Sequence, residues 1–226
     1  MSVTAIIQAR MGSSRLPGKA LRLMAGKPML QHVVERVAAC AGVRDIIVAT
    51  TDKLEDRAIV AWCQQYGYQY VAWNKVLPDG HNDVLGRFVQ AARLTDDDVL
   101  MRVTGDCPLW CPILGSQVVQ AFQRHDVNLC SNVHPTVDGF DAEVFTRTAL
   151  IGADRMADSL YDRQHVTPFL HKRTSQHWVD HTGLVGTMKL SVDTEEDFQR
   201  VRQVAERVEN MSWQETVTRY REMDML

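Results

Sequence analysis

Residues 6–21 read IIQARMGSSRLPGKAL. A short apolar run gives way to Arg10, Gly12, Ser13, Ser14, Arg15, Gly18 and Lys19, so three cations, two hydroxyls and a small close-approach residue fall within ten positions. A triphosphate needs such a set: backbone and hydroxyl donors backed by several positive charges. The stretch is not a Walker-type loop. Five residues separate Gly12 from Gly18 instead of four, Ala20 stands where a magnesium-binding hydroxyl would be, and Pro17 removes an amide. From these residues alone it reads either as a solvated basic turn or as a phosphate loop of another design.

Two acids stand in comparable places. RVTGDCP (102–108) puts Asp106 just past an apolar run, and LSVDT (190–194) puts Asp193 just past another. Two carboxylates beside a triphosphate suit Mg²⁺, which takes one or two carboxylates together with phosphate oxygens. Singly, each is also a common turn or helix-cap residue.

The elements that must bring these groups together are readable from periodicity. VTAIIQ (3–8), DIIVATT (45–51), YQYVAW (68–73) and DVLMRVTGD (98–106) read as strands. Between them, 28–41, 54–67, 82–94 and 112–125 carry helical spacing; Pro28 opens the first, Gly67 closes the second, and an Asn or Asp caps the third. This alternation predicts an α/β fold: βαβ units and a mostly parallel sheet flanked by helices. In such a sheet ligands bind beyond the carboxyl ends of the strands, which is where the basic loop, Asp106 and Asp193 would all fall. Past residue 132 the rhythm breaks. A strand is expected over 141–146, helical pieces over 147–171, a strand–Gly turn–strand over 177–193, and helices over 195–208, capped by Thr194, and 213–226. The span from about 132 to 190 is expected to be a small irregular lobe on the acceptor side or at a subunit contact, within a single domain of residues 1–226.

Composition narrows the function class. At 226 residues with 45% apolar side chains the chain can bury a substantial core. A net charge of −3 argues against a nucleic-acid surface. No apolar run reaches membrane-span length, and the first residues lack a signal-peptide pattern, so a soluble cytoplasmic protein is expected. Five cysteines without metal-ligand spacing are expected to be reduced, buried side chains. His165 is expected to pack or to be solvated more readily than to catalyse, the basic 171–177 segment to be solvated, and the aromatic residues from Trp62 to Trp73 to belong to the core.

The segments IIQARMGSSRLPGKAL, VATTD, DVLGRF, RVTGDCPLWCP, DGFDAEVF, RQHVTPF and VDTEEDFQRVR occur in that order. Together they resemble the cytidylyltransferases of the spore-coat polysaccharide biosynthesis type, relatives of the acylneuraminate and 3-deoxy-manno-octulosonate cytidylyltransferases. The resemblance runs from about residue 3 to residue 205. It implies a Rossmann-like nucleotide-diphospho-sugar transferase fold, and a reaction in which an acceptor hydroxyl attacks the α-phosphate of CTP and releases pyrophosphate. It also implies roles. Arg10, Ser13, Arg15 and Lys19 would grip the triphosphate, with Gly12 giving access. Ala9 would meet the base, Asp83 and Arg87 would lie near the nucleotide, and Asp106 and Asp193 would hold Mg²⁺. Asp138, Asp141, Glu143, Arg163, His165 and Thr167 would line the acceptor side, and a homodimer is implied. Thr104 stands where the octulosonate enzymes usually carry glutamine, and WCP follows the Cys-Pro-Leu. The acceptor implied is a sugar acid or a related phosphonate or polyol phosphate; a second reading is a nucleotide-binding domain without turnover.

Overall fold

Val3–Gln8 forms β1, the strand around which the sheet is built; the computed structural model describes residues 1–133, 137–181 and 188–224. The order along the chain is β1, β2 (Leu23–Met24), β3 (Lys27–Pro28), α1 (Met29–Ala38), β4 (Val43–Thr50), α2 (Arg57–Tyr66), β5 (Gln69–Ala72), α3 (Val84–Ala92), β6 (Val99–Thr104) and α4 (Pro112–Arg124). It continues through β7 (Leu129–Ser131), β8 (Glu143–Thr146), α5 (Arg147–Met156), α6 (Leu160–His165), α7 (Pro168–Arg173), β9 (Gln176–Trp178), α8 (Glu195–Ala205) and α9 (Trp213–Asp224). Seven strands form one sheet in the order β5-β4-β1-β6-β8-β7-β9, and β2 and β3 pair as a separate ribbon.

β1 pairs in parallel with β4 and β6, and β4 with β5. Strands buried on both faces read as continuous apolar runs, as 3–8 does. Val3, Ala5 and Ile7 enter a core layer with side chains of α1, α2 and α4, while Ile6 enters one built by α3 and α5. A third apolar cluster joins α8 and α9 to Leu16, Phe140, Leu190 and Val192. Burying Ile6 or Phe88 completely contributes about 1.5–3 kcal/mol each. Helix ends follow their local signals. Gly67 stops α2 at φ +73°, and Thr194 and Asp197 form a reciprocal cap on α8.

The second half departs from expectation in three ways. Within the 132–190 region, β8 and β9 pair into the main sheet. β8 runs antiparallel between β6 and β7, which closes off the parallel half. β7 was not expected at all: three buried residues are too few to show a period. The second strand expected near 188–193 reduces to one bridge between Asp138 and Lys189, and the Gly turn before it lies outside the described residues. Pro28 sits at the N-cap of α1, not in its first turn. The five cysteines are free and buried, as expected. No helix among the described residues is long and apolar enough to cross a membrane.

Candidate active site

The parallel register aligns Gln8 of β1 with Thr104 of β6 and with Ala49 of β4. Just beyond these positions the strand ends are stitched together. The amide of Ala9 donates to Ala49 O at 3.1 Å, and that of Gly105 to Gln8 O at 2.9 Å. A Cβ on residue 105 would lie 2.7 Å from Gln8 O, so only glycine lets the end of β6 press against β1. The basic loop is a structured return. Ser13 N and Gly18 N both donate to Met11 O, at 2.9 and 2.8 Å, and Met11 N donates to the buried Asp56 carboxylate at 2.5 Å. Leu16 is buried in the third apolar cluster, and Gly18, at φ +74°, turns the chain into a short 3-10 segment that starts at Lys19.

That turn places Lys19 between the two acids. Its ammonium donates to Asp106 Oδ2 at 3.0 Å and to Val192 O at 2.5 Å, and lies 3.5 Å from Asp193 Oδ1. Val192 N in turn donates to Asp106 O at 2.8 Å, so the segment before α8 is tied to the end of β6. Arg15 Nη2 reaches Asp193 Oδ1 at 3.0 Å, and Lys189 Nζ reaches Oδ2 at 3.0 Å. Burial works against the Asp193 charge, but the Lys189 hydrogen bond and the charges of Lys19 and Arg15 outweigh it and hold the carboxyl below the usual range.

Arg15, Lys19, Asp106 and Asp193 line a cleft of about 290 Å³. Of the expected site residues, Ala9, Arg10, Ser13, Arg15, Lys19, Arg87, Asp106, His165 and Asp193 all face it. Arg10 is exposed there. Arg87 is 2% exposed; its Nε donates to Trp73 O at 3.1 Å, and its buried Nη2 has no partner among the described residues. Burial lowers Arg87 to about 10, with the charge of Arg10 adding to the effect against nearby acids. Asn82 Oδ1 is also buried and unpartnered at the cleft. Orphaned buried polar atoms are costly in a folded chain, and at a cleft they leave bonds that water or a ligand can supply. His165 lies below its ordinary pKa because of burial and then the charge of Arg102.

The remaining expected residues lie elsewhere, each for a visible reason. Gly12 is exposed, and the space beside it is filled by Glu55, whose Oε1 would stand 2.2 Å from an added Cβ. Asp83 is 1% exposed because it caps α3, accepting from Gly86 N at 2.9 Å, and pairs with Arg163 at 2.7 Å. Arg163 is thereby held between Asp83 and Asp154 instead of facing the cleft. Asp138 is exposed and accepts from Ser191 Oγ at 2.7 Å. Asp141 is half-buried; burial, then the charges of Asp138 and Glu143, push its carboxyl up to about 7. Glu143 is 2% exposed with both oxygens taken by protein donors, and Thr167 spends its hydroxyl on Glu143 at 2.8 Å.

Sequence reasoning passed over Gln8, His81, Asn82, Arg102 and Gln164, which also line the cleft. For Arg102 there was a signal: an arginine inside the apolar run VLMRVT must face something polar. Gln8, the last residue of β1, sits on the sheet's carboxyl edge and was open to the same argument. His81, Asn82 and Gln164 carry no local pattern that separates them from other loop or helix residues.

Comparison with known proteins identifies the family and the fold. A family model described as Cytidylyltransferase matches residues 4–223. An uncharacterized protein of Methanocaldococcus jannaschii is 34% identical over 203 residues, covering 88% of this chain and 81% of that protein. An 8-amino-3,8-dideoxy-manno-octulosonate cytidylyltransferase of Shewanella pealeana is 39% identical over 125 residues, which is 55% of this chain and 49% of that enzyme. The match thus spans about half the length of that curated relative. The solved structure of a cytidylyltransferase from Leptospira borgpetersenii serovar Hardjo-bovis superposes with a TM-score of 0.90 at 23% identity, covering 100% of this chain and 96% of that one, which establishes the shared fold. With the family model spanning nearly the whole sequence, the chain belongs to the cytidylyltransferase family of enzymes.

Proposed function

We propose that the protein transfers CMP from CTP to a sugar acid, releasing pyrophosphate, as a step in making a surface-glycan precursor. One observation carries this reading. Arg10, Arg15 and Lys19 from the first loop meet Asp106 and Asp193 in a single cleft, with Lys19 within 3.5 Å of both carboxylates. The likeness to an enzyme named for 8-amino-3,8-dideoxy-manno-octulosonate supports a sugar acid as the acceptor. In the reaction, the acceptor hydroxyl oxygen forms a bond to the α-phosphorus, the bond from that phosphorus to the β-phosphate oxygen breaks, and the hydroxyl proton is lost. Such transfer depends on positioning and charge neutralisation more than on covalent catalysis. Arg10, Arg15 and Lys19 would hold the triphosphate and spread the charge that gathers on departing pyrophosphate. Arg87, with its unpartnered Nη2, would complete its bonds on the nucleotide.

The donor set fits Mg²⁺. Asp106 and Asp193 offer hard oxygen ligands that converge on one ammonium. Among the described residues no group of three or more His, Cys, Asp or Glu side chains forms a metal cluster, so the ion would draw further oxygens from the phosphates. Bound there, Mg²⁺ would polarise phosphoryl oxygens and neutralise the leaving group.

The test is pyrophosphate release with Mg²⁺ and CTP, UTP, ATP or GTP in turn, against pooled sugar acids, sugar phosphates and phosphonates. Release with CTP alone, and with the sugar-acid pool, is the expected outcome. Silence with every pool, together with no heat of CTP binding by calorimetry, sinks the reading.

A further inference from the structure

Arg102 interrupts the apolar strand β6, and its side chain reaches the cleft. Its Nη1 donates to Glu143 Oε2 at 2.6 Å, and its Nε approaches Gln8 Oε1 at 3.5 Å. Its Nη2 has no hydrogen-bond partner among the described residues and is not among the buried orphan atoms, so it is not sealed off by protein in a residue that lines the cleft.

Behind Arg102 lies a fixed row. Glu143 Oε2 also accepts from Thr167 Oγ1 at 2.8 Å, and Oε1 lies 2.8 Å from His171 Nε2. The other ring nitrogen of His171, Nδ1, lies 2.9 Å from Gln176 Oε1, and Gln176 is oriented by its own donation to His171 O at 3.1 Å. Both ring nitrogens therefore face acceptor oxygens, which is the bonding pattern of an imidazolium. Trp178 stacks on that ring with centroids 4.9 Å apart. Glu143 and Gln176 favour the protonated form of His171 and raise its pKa against the effect of burial, so Arg102 and His171 set positive charge on both sides of Glu143, with Asp141 also within the field of Arg102 and Glu143. Glu143 is buried while Arg102 and His171 are only partly so, and the side of the Arg102 guanidinium without a protein partner is where the cleft admits an anion. Arg10, Arg15 and Lys19, which also face the cleft, are taken by the triphosphate in the proposed function, which leaves Arg102 for a second anion.

We propose that Arg102 determines acceptor specificity: the open Nη2 edge of its guanidinium receives the acidic group of the acceptor, a carboxylate or a phosphonate, and Glu143 and His171 are positioning residues that aim that edge into the cleft. Identifying the anion as the acceptor's rests on the cytidylyl-transfer reading; anion binding at Arg102 does not.

The probes are pyruvate, a minimal 2-keto carboxylate, and methylphosphonate. Each is titrated into the full chain while the His171 ring proton signal, assigned with His171→Asn, is followed by NMR, and CTP affinity is measured in parallel by calorimetry. Wild type is expected to show a saturable shift with one probe, which names the acid class. Affinity for that probe is expected to fall about tenfold or more in Arg102→Gln, with CTP affinity unchanged. Arg102→Lys, which keeps the charge but not the planar fork, falls between the two. Glu143→Gln weakens the probe, and Glu143→Asp restores part of the loss. No saturable shift with either probe, or equal probe affinity in Arg102→Gln, overturns the proposal. So does a parallel loss of CTP affinity, which would place Arg102 on the nucleotide. A saturable probe response in wild type that fails to bind CTP would leave the anion site standing and sink the nucleotide reading.

Discussion

The ammonium of Lys19 lies 3.0 Å from Asp106 Oδ2, across 87 positions of sequence. The contact joins the basic loop after β1 to the end of β6, and through Val192 O to the segment that enters α8. Asp106→Asn removes a carboxylate that faces the cleft but little packing, and Lys19 keeps Val192 O and Asp193 as partners. Turnover is expected to fall about a hundredfold or more while the urea midpoint stays near wild type. Near-normal turnover would remove Asp106 from the chemistry.

Arg87 is a buried cation whose Nη2 has no partner among the described residues, a cost that a ligand in the cleft would offset. In Arg87→Gln, CTP affinity measured by calorimetry is expected to drop about tenfold, while Tm without nucleotide moves by less than about 4 °C. Unchanged CTP affinity would show that the orphaned nitrogen does not meet the nucleotide.

Gly105, just past the end of β6, packs its backbone against the end of β1. Gly105→Ala drives a methyl group to within 2.7 Å of Gln8 O, which is backbone and cannot swing aside. The expected cost is about 1–3 kcal/mol in chemical denaturation, with loss of activity because Asp106 is the next residue. A variant as stable and as active as wild type would show that the strand ends relax freely.

Asp141 carries a pH dependence. Burial and the neighbouring acids Asp138 and Glu143 raise its carboxyl from 3.8 to about 7 in the folded chain. Between those values the folded state binds the extra proton, so this group's contribution is fully present below about pH 4 and is lost as pH rises through 7. Asp141→Asn keeps the shape and removes the titration. Its stability relative to wild type is expected to be roughly 1–2 kcal/mol greater at pH 8 than at pH 5, below the face value of the shift because the half-buried carboxylate retains water. An equal difference at both pH values would show that Asp141 is ionised throughout.

Local chemistry was legible in the sequence. The apolar runs of β1, β4 and β6, the Gly67 stop, the Thr194 cap, and the cations of the first loop with Asp106 and Asp193 all depend on residues a few positions apart. Periodicity and capping act over one or two turns, so the residues themselves carry that information. Pairings at long separation were not legible. Whether Asp83 faces a nucleotide or caps α3 against Arg163 is settled by where α6 lies, 80 positions later. Glu143 looked like a residue of the acceptor wall, but the antiparallel insertion of β8 beside β6 sets it opposite Arg102 and buries it. Sheet order and helix placement decide which charges become neighbours, because an ion pair between distant segments leaves no local pattern. The sequence determined which groups stand at the strand ends, and the tertiary structure decided which of them face the cleft and which hold the others in place.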